Sequence, residues 1–305
     1  MTTKNMNRLF ISPEATIPES TIFGPFCVIG QGVTLGEHVV LGAGCILADG
    51  VSIGAGTVLG HYVTVDHGAV LGEECQIGNH VSVGTWAKVG ARTKVGDHTT
   101  IYPQVDLGED GFIGSNSSIG RLPKAAATST VKAHADLPPL RIGKGYTAGC
   151  SVVLYAGTSY GDKVFIGDGA LVRERCTIGQ NVVIGSGAAV ENDTRIGEFT
   201  KIQTGSYITA YMEIDDHVFI APMVSTTNDN FMGRTEKRFK LIKGAHIGRG
   251  ARIGGASILL PGVEIAPETF VAAGALVTKD TTEKRVMIGF PARDVRQVPE
   301  EELLP

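Results

Sequence analysis

Seven lysines and arginines fall within residues 234–252: Arg234, Lys237, Arg238, Lys240, Lys243, Arg249 and Arg252, against only Glu236. The chain as a whole carries a formal net charge of -4 and a pI near 6.1, so the cluster is a local feature. Guanidinium and ammonium groups gathered in this way suit a polyphosphate, as in coenzyme A or a nucleotide-sugar. A solvated loop that binds nothing has the same composition, and the cluster alone leaves both readings open. His80 and His98 recur at an 18-residue spacing and could begin a metal site. Such a site needs at least three protein ligands, and His61 and His67 fall on different faces, so no metal is expected. The acidic balance argues against nucleic acid as the main partner.

The elements that must position these groups come from a repeat. From Ile17 the chain divides into 17 consecutive hexads over residues 17–118: IPESTI, FGPFCV, IGQGVT, LGEHVV and so on to IGSNSS. Every first position is Ile, Leu, Val or Phe, and 13 of the 17 second positions are Gly. A large apolar residue at every sixth position requires a chain that returns to one radial direction every six residues. Short strands joined by corners do this, whereas a helix has a period of 3.6. Glycine after the apolar residue relieves a corner where a Cβ would be costly. The fifth position is small, and Cys27, Cys45, Cys75 and Cys176 occupy it as core filler. Trp86 falls at an outward fourth position.

Further hexads run over residues 142–225 and 241–282, bringing the total to 38. Three hexads to a coil of about 18 residues predict an all-β parallel β-helix of about 13 coils, with two loop insertions and a short C-terminal tail. The expected organisation is an N-terminal array over residues 1–120, an insertion or linker at 121–140, a C-terminal β-helix region at 141–282 and a tail at 283–305. The second loop lies at 226–240. The helix is expected to form one continuous prism, although the 121–140 break equally allows two offset ones. Insertions in a solenoid leave its surface as loops, where function tends to reside.

The hexads resemble those of the left-handed β-helix acyltransferase superfamily, and the likeness covers almost the whole chain. The left hand comes from that resemblance and not from any count of residues. The ending VAAGALVTKD followed by GFPARDVRQV is similar to the superfamily's common C-terminus. The segment HVFIAPMVSTTNDNFMGR more narrowly resembles bacterial N-acetyltransferases acting on nucleotide-linked amino sugars, with Thr227, Asn228, Asp229 and Arg234 matching most of their loop. Thr204 and Gly205 follow Gln203 where those enzymes often carry two asparagines. Met232 and Gly233 stand where proline is usual, and those enzymes commonly have fewer N-terminal coils.

The resemblance implies a homotrimer with acetyl-CoA lying between neighbouring prisms. It places backbone amides near Ala273 and Gly274 against pantetheine, and Lys279 and Arg293 toward the coenzyme phosphates; Lys243 of the basic cluster is a further candidate for coenzyme binding. Asn228 and Asp229 would lie near the amine acceptor, with Gln203, Thr204 and Arg234 contacting substrate. The reaction would be attack of an unprotonated amine on the acetyl thioester, driven mainly by orientation, with His246, Asp229 and His217 as candidate bases. Two other readings stay open: an acyltransferase for another amine or a hydroxyl, and a non-catalytic scaffold or regulatory subunit. No signal peptide or membrane-length apolar run is visible in the sequence. A cytoplasmic protein without a membrane partner is the resulting expectation.

Overall fold

The computed structural model describes residues 9–125 and 136–304. The middle of the 121–140 insertion lies outside the described residues. The chain divides into two compact units, residues 1–122 with 138–156, and residues 123–137 with 157–305.

In the first unit short parallel strands stack on three faces visited in turn. The first face runs Phe10–Ile11, Val28–Ile29, Ile46–Leu47, Thr64–Val65, Ser82–Val83, Thr100–Ile101, Ser118–Arg121 and Val153–Tyr155. Partners along it stand 18 residues apart up to Ser118, as Val28 with Ile46, and across the insertion Ser118 pairs with Val153. The array thus begins one hexad before Ile17, because Ile11 occupies the same inward position although its hexad lacks the glycine. After the insertion, Arg141–Ile142 pairs with Asp106–Leu107, so the loop departs at a corner and the ladder resumes in register. The coil that follows residue 140 belongs by its contacts to this unit.

The second unit winds in the same way. Its first face holds Leu171–Val172, Ala189–Val190, Tyr207–Ile208, Ser225–Thr226, Ile258–Leu259 and Leu276–Val277. The second holds Ser159–Tyr160, Thr177–Ile178, Arg195–Ile196, Glu213–Ile214, His246–Ile247 and Glu264–Ile265. The third runs from Phe165–Ile166 to Phe270–Val271 and then takes in the tail. There Arg285–Gly289 adds as a parallel strand and folds back antiparallel as Ala292–Gln297. The corner leaving each face is called corner one, two or three after that face.

The hexad positions have distinct physical duties. Position-one residues such as Leu41 and Leu47 are at most 1% exposed, each contributing about 1.5–3 kcal/mol on burial. At position two the restriction is the adjacent coil: a Cβ on Gly72 would lie 2.5 Å from the Ala91 backbone nitrogen. The left-handed backbone falls instead at position four, where His38, Tyr62 and Trp86 have φ of 60°, 55° and 58°. Polar residues fit position five because the corner carbonyls can accept hydrogen bonds. Thr57 Oγ1 donates to the Gly72 carbonyl at 2.7 Å and accepts from Cys75 N at 3.1 Å. His80 and His98 stack with ring centroids 5.0 Å apart, and Tyr62 extends the ladder.

Candidate functional site

The second loop leaves at corner one of the second unit, where Thr226 replaces the usual aliphatic residue at the inward position. Its hydroxyl accepts from Thr209 N at 2.8 Å and donates to the Tyr207 carbonyl at 3.1 Å, so the chain exits without an orphaned polar group. Asn228 then holds the base of the loop. Its amide donates to the Ala210 carbonyl at 3.3 Å, and its own carbonyl accepts from Lys243 N at 3.1 Å. Asp229 holds the loop itself, accepting from Phe231 N at 2.8 Å, Gly233 N at 3.0 Å and Arg238 Nε at 2.9 Å. The Gly233 and Phe231 amides and the Arg238 guanidinium hold its carboxyl below the usual range despite some desolvation. A carboxylate so occupied is poorly suited to take a proton.

Beneath the loop lies a hollow of about 320 Å³ lined by Asn192, Ala210, Tyr211, Asn228, Arg238, Phe239 and Ile242. Beside it on the second face is another of about 190 Å³, containing Glu213, Lys243, His246 and Glu264 and sharing Tyr211 with the first. His246 Nδ1 lies 2.7 Å from Glu264 Oε2, and Nε2 lies 3.3 Å from Asp215 Oδ1. Partial burial opposes the charged imidazole, but the hydrogen bonds to Glu264 and Asp215 outweigh it and raise the pKa. Lys243 pairs with Glu264 at 2.9 Å, so this cation is already neutralised in the free chain. Arg234 is exposed on the loop tip.

Corner one continues as an ion network on the second and third coils before the loop. Arg175 grips Asp193 through two bonds of 2.7 Å, and Arg173 bonds Glu174 at 2.8 Å and approaches Glu191 at 3.4 Å. Burial raises the Glu191 pKa, with neighbouring Glu174 adding to it against Arg173. Asn192 and Tyr211, which line the hollow, were not singled out by motif. A signal did exist: position two carries Arg173, Glu191 and Thr209 on three successive coils, 18 residues apart, in place of glycine.

The remaining expected residues lie elsewhere. Gln203, Thr204, Ala273 and Gly274 stand at corner three, where Met223 N bonds to Thr204 O, Ala256 N to Pro222 O and Gly274 N to Gly255 O. Three coil steps of about 4.8 Å separate Thr204 from Ala273. The Gly274 amide is committed to its neighbouring coil, whereas Ala273 N has no acceptor among the described residues. Lys279 is exposed after the last strand of the first face. Arg293 is exposed on the tail hairpin and donates to the Ala292 carbonyl. His217 stacks on Phe199 at corner two, with centroids 5.0 Å apart. One chain therefore brings Asn228, Asp229, Lys243 and His246 together but leaves Gln203, Thr204, Ala273 and Gly274 at another corner.

The family described as "Bacterial transferase hexapeptide (six repeats)" matches residues 14–49 and 160–192, and "Hexapeptide repeat of succinyl-transferase" matches 50–85. The chain is a left-handed hexapeptide-repeat β-helix. This repeat protein is 32% identical over 96 residues to a putative acetyltransferase of Saccharomyces cerevisiae, covering 30% of the chain and 49% of the relative. It is 55% identical over 38 residues to a putative serine acetyltransferase of Schizosaccharomyces pombe, covering 12% and 14%. The hexapeptide-repeat chain thus spans about half of the first relative and far less of the second. Among solved structures it is similar to a mutant perosamine N-acetyltransferase from Caulobacter crescentus in complex with CoA and GDP-perosamine, at 22% identity and TM-score 0.34, over 48% of this chain and 53% of that one. It is also similar to a maltose O-acetyltransferase from Clostridium difficile, at 25% identity and TM-score 0.31, over 44% and 70%.

Proposed function

We propose that this protein is an acyl-CoA-dependent acyltransferase that acetylates the amine of an amino sugar, with a nucleotide-linked sugar as the acceptor. The observation that carries this reading is the 320 Å³ hollow at corner one, closed by a cationic loop and lined by Asn192, Tyr211, Asn228 and Arg238. A scaffold has no need of a polar hollow under a basic loop. Relatives named as acetyltransferases support the reaction class.

The acceptor nitrogen forms a bond to the thioester carbon, the carbon–sulfur bond breaks, and the thiolate takes up a proton. Holding amine and thioester together is the main catalytic contribution. His246 is the base that fits: Glu264 orients the ring through Nδ1 at 2.7 Å, and Nε2 accepts the amine proton once the acceptor displaces its longer 3.3 Å contact to Asp215. Asp229 serves by holding the loop. The free Ala273 amide suits a carbonyl of the pantetheine arm, and Lys279 and Arg293 offer exposed cations for its phosphates.

The separation of the two residue sets supports a homotrimer in which corner three of one copy meets corner one of another. The face between those corners suits such packing: its outward residues in the second unit are Leu171, Ala189, Tyr207, Ser225, Ile258 and Leu276, none charged. Thiol release from acetyl-CoA with nucleotide-linked amino sugars tests the proposal. Release dependent on the amine supports it; no release above hydrolysis with any amine acceptor contradicts it.

A further inference from the structure

A groove of about 470 Å³ lies in the first unit, where its third face turns into corner three. Val58, Gln76, Lys94 and Phe112, outward residues on four successive coils, line it, and Gly78 and Gly96 form its edge at the corner. Val58 and Phe112 are 42% and 45% exposed and make two apolar walls. Polar groups do not converge there as a small-molecule site needs, since the Asp97 carboxylate is spent on Asn79 N at 2.6 Å. Trp86, the single tryptophan of the chain, stands at corner one of the same unit and is 54% exposed. Its ring lies across Gly68, where a Cβ would come within 2.3 Å of it, and His67 meets it edge-on at 4.9 Å. The indole is thus braced from below and left outward.

We propose that Trp86 of one copy seats in this groove of a neighbouring copy. The inference rests on the homotrimer reading, in which corner one meets corner three, and carries that contact through the first unit. Height decides the pairing. Partner strands stand 18 residues apart and about 4.8 Å in space, so residue number measures height along the prism. A ring of copies related by rotation about an axis along the prism keeps every residue at its own height. Trp86 falls between Gln76 and Lys94, the middle two of the four lining rows, and so meets the centre of the groove. The face between the two corners permits the approach, because its outward residues Val28, Ile46, Thr64, Ser82, Thr100 and Ser118 carry no charge. In the seat, Val58 and Phe112 pack against the indole. Lys94, which has no salt bridge among the described residues, offers its ammonium to the ring face. A tryptophan held in an apolar seat is the residue type that carries protein interfaces.

Acrylamide quenching of tryptophan fluorescence tests this on the full chain, with the assembled mass measured by sedimentation equilibrium at the same concentration. Trp86 is the only indole, so the signal reports this contact alone. The expected result is an assembly in which Trp86 is poorly quenched. Val58→Glu with Phe112→Glu, both at outward positions, then raises the quenching constant several-fold and shifts the emission to the red, while circular dichroism shows the β-helix retained. An assembly whose Trp86 is quenched as readily in the parent protein as in the double variant overturns the inference and leaves the homotrimer reading standing. A mass of 32.0 kDa, that of one chain, overturns both.

Discussion

His246 stands between two carboxylates, and its chemistry follows from them. Glu264 at 2.7 Å and Asp215 at 3.3 Å favour the imidazolium and more than offset burial, while Lys243 and His246 draw the Glu264 carboxyl down despite its own desolvation. A raised histidine pKa stabilises the fold fully below the unfolded value of about 6.5, and that contribution is lost as pH rises through the folded value. An NMR titration of His246 therefore gives a midpoint above about 6.5, which Glu264→Gln lowers. If His246 is the base, kcat/KM rises with pH through that same midpoint, and His246→Gln removes the inflection and lowers the plateau roughly 100-fold. A plateau unchanged by His246→Gln would exclude it as the base. Asn228 and Asp229 stood out in the sequence, but the duties of their side chains did not. Which groups bind the Asp229 carboxylate depends on how residues 231–238 fold back over it, and no hexad spacing encodes that. Likewise, whether Ala273 or Gly274 offers a free amide depends on hydrogen-bond register between coils.

At the scale of the coil, glycine at position two and the residue at position four answer different demands. A Cβ at Gly72 meets the Ala91 backbone, which cannot yield without parting two coils; Gly32, at position four with φ of 64°, has open space around it. Gly72→Ala thus costs on the order of 1–3 kcal/mol through overpacking, and Gly32→Ala about 1 kcal/mol through left-handed strain. Thermal melts of the two variants should place the Gly72→Ala transition clearly lower. Equal transitions would mean that backbone conformation, and not contact with the next coil, dictates the glycines. The β-helix was legible because both demands repeat every six residues. Asn192 and Tyr211 were harder to see, since their corner emerges only when residues 18 apart are aligned. At the scale of the loop, Asp229→Ala removes two backbone hydrogen bonds and the Arg238 pair. Limited trypsin digestion should then cleave at Arg234 or Lys237 several-fold faster than in the parent protein; an unchanged rate would show that the loop is held by other contacts.

For the whole molecule, the division of expected site residues between corners one and three is the main structural consequence. In the second unit the uncharged outward row from Leu171 to Leu276 lies between those corners, and sedimentation equilibrium should give three times the 32.0 kDa chain mass. Placing a charge on that face by Ala189→Glu should lower the assembled mass and acyl transfer together. The long first array was readable as fold from its hexads, yet its spacing announces no role in the reaction: its one outward repeat of a titratable residue, His80 and His98, forms a stacked ladder with Tyr62. The central claim, that this β-helix is an acyl-CoA-dependent enzyme, is tested most directly by calorimetric titration with acetyl-CoA, repeated on Lys279→Ala and Arg293→Ala. Saturable binding, weakened several-fold by either substitution, is the predicted result. Absence of binding up to millimolar acetyl-CoA would contradict the account.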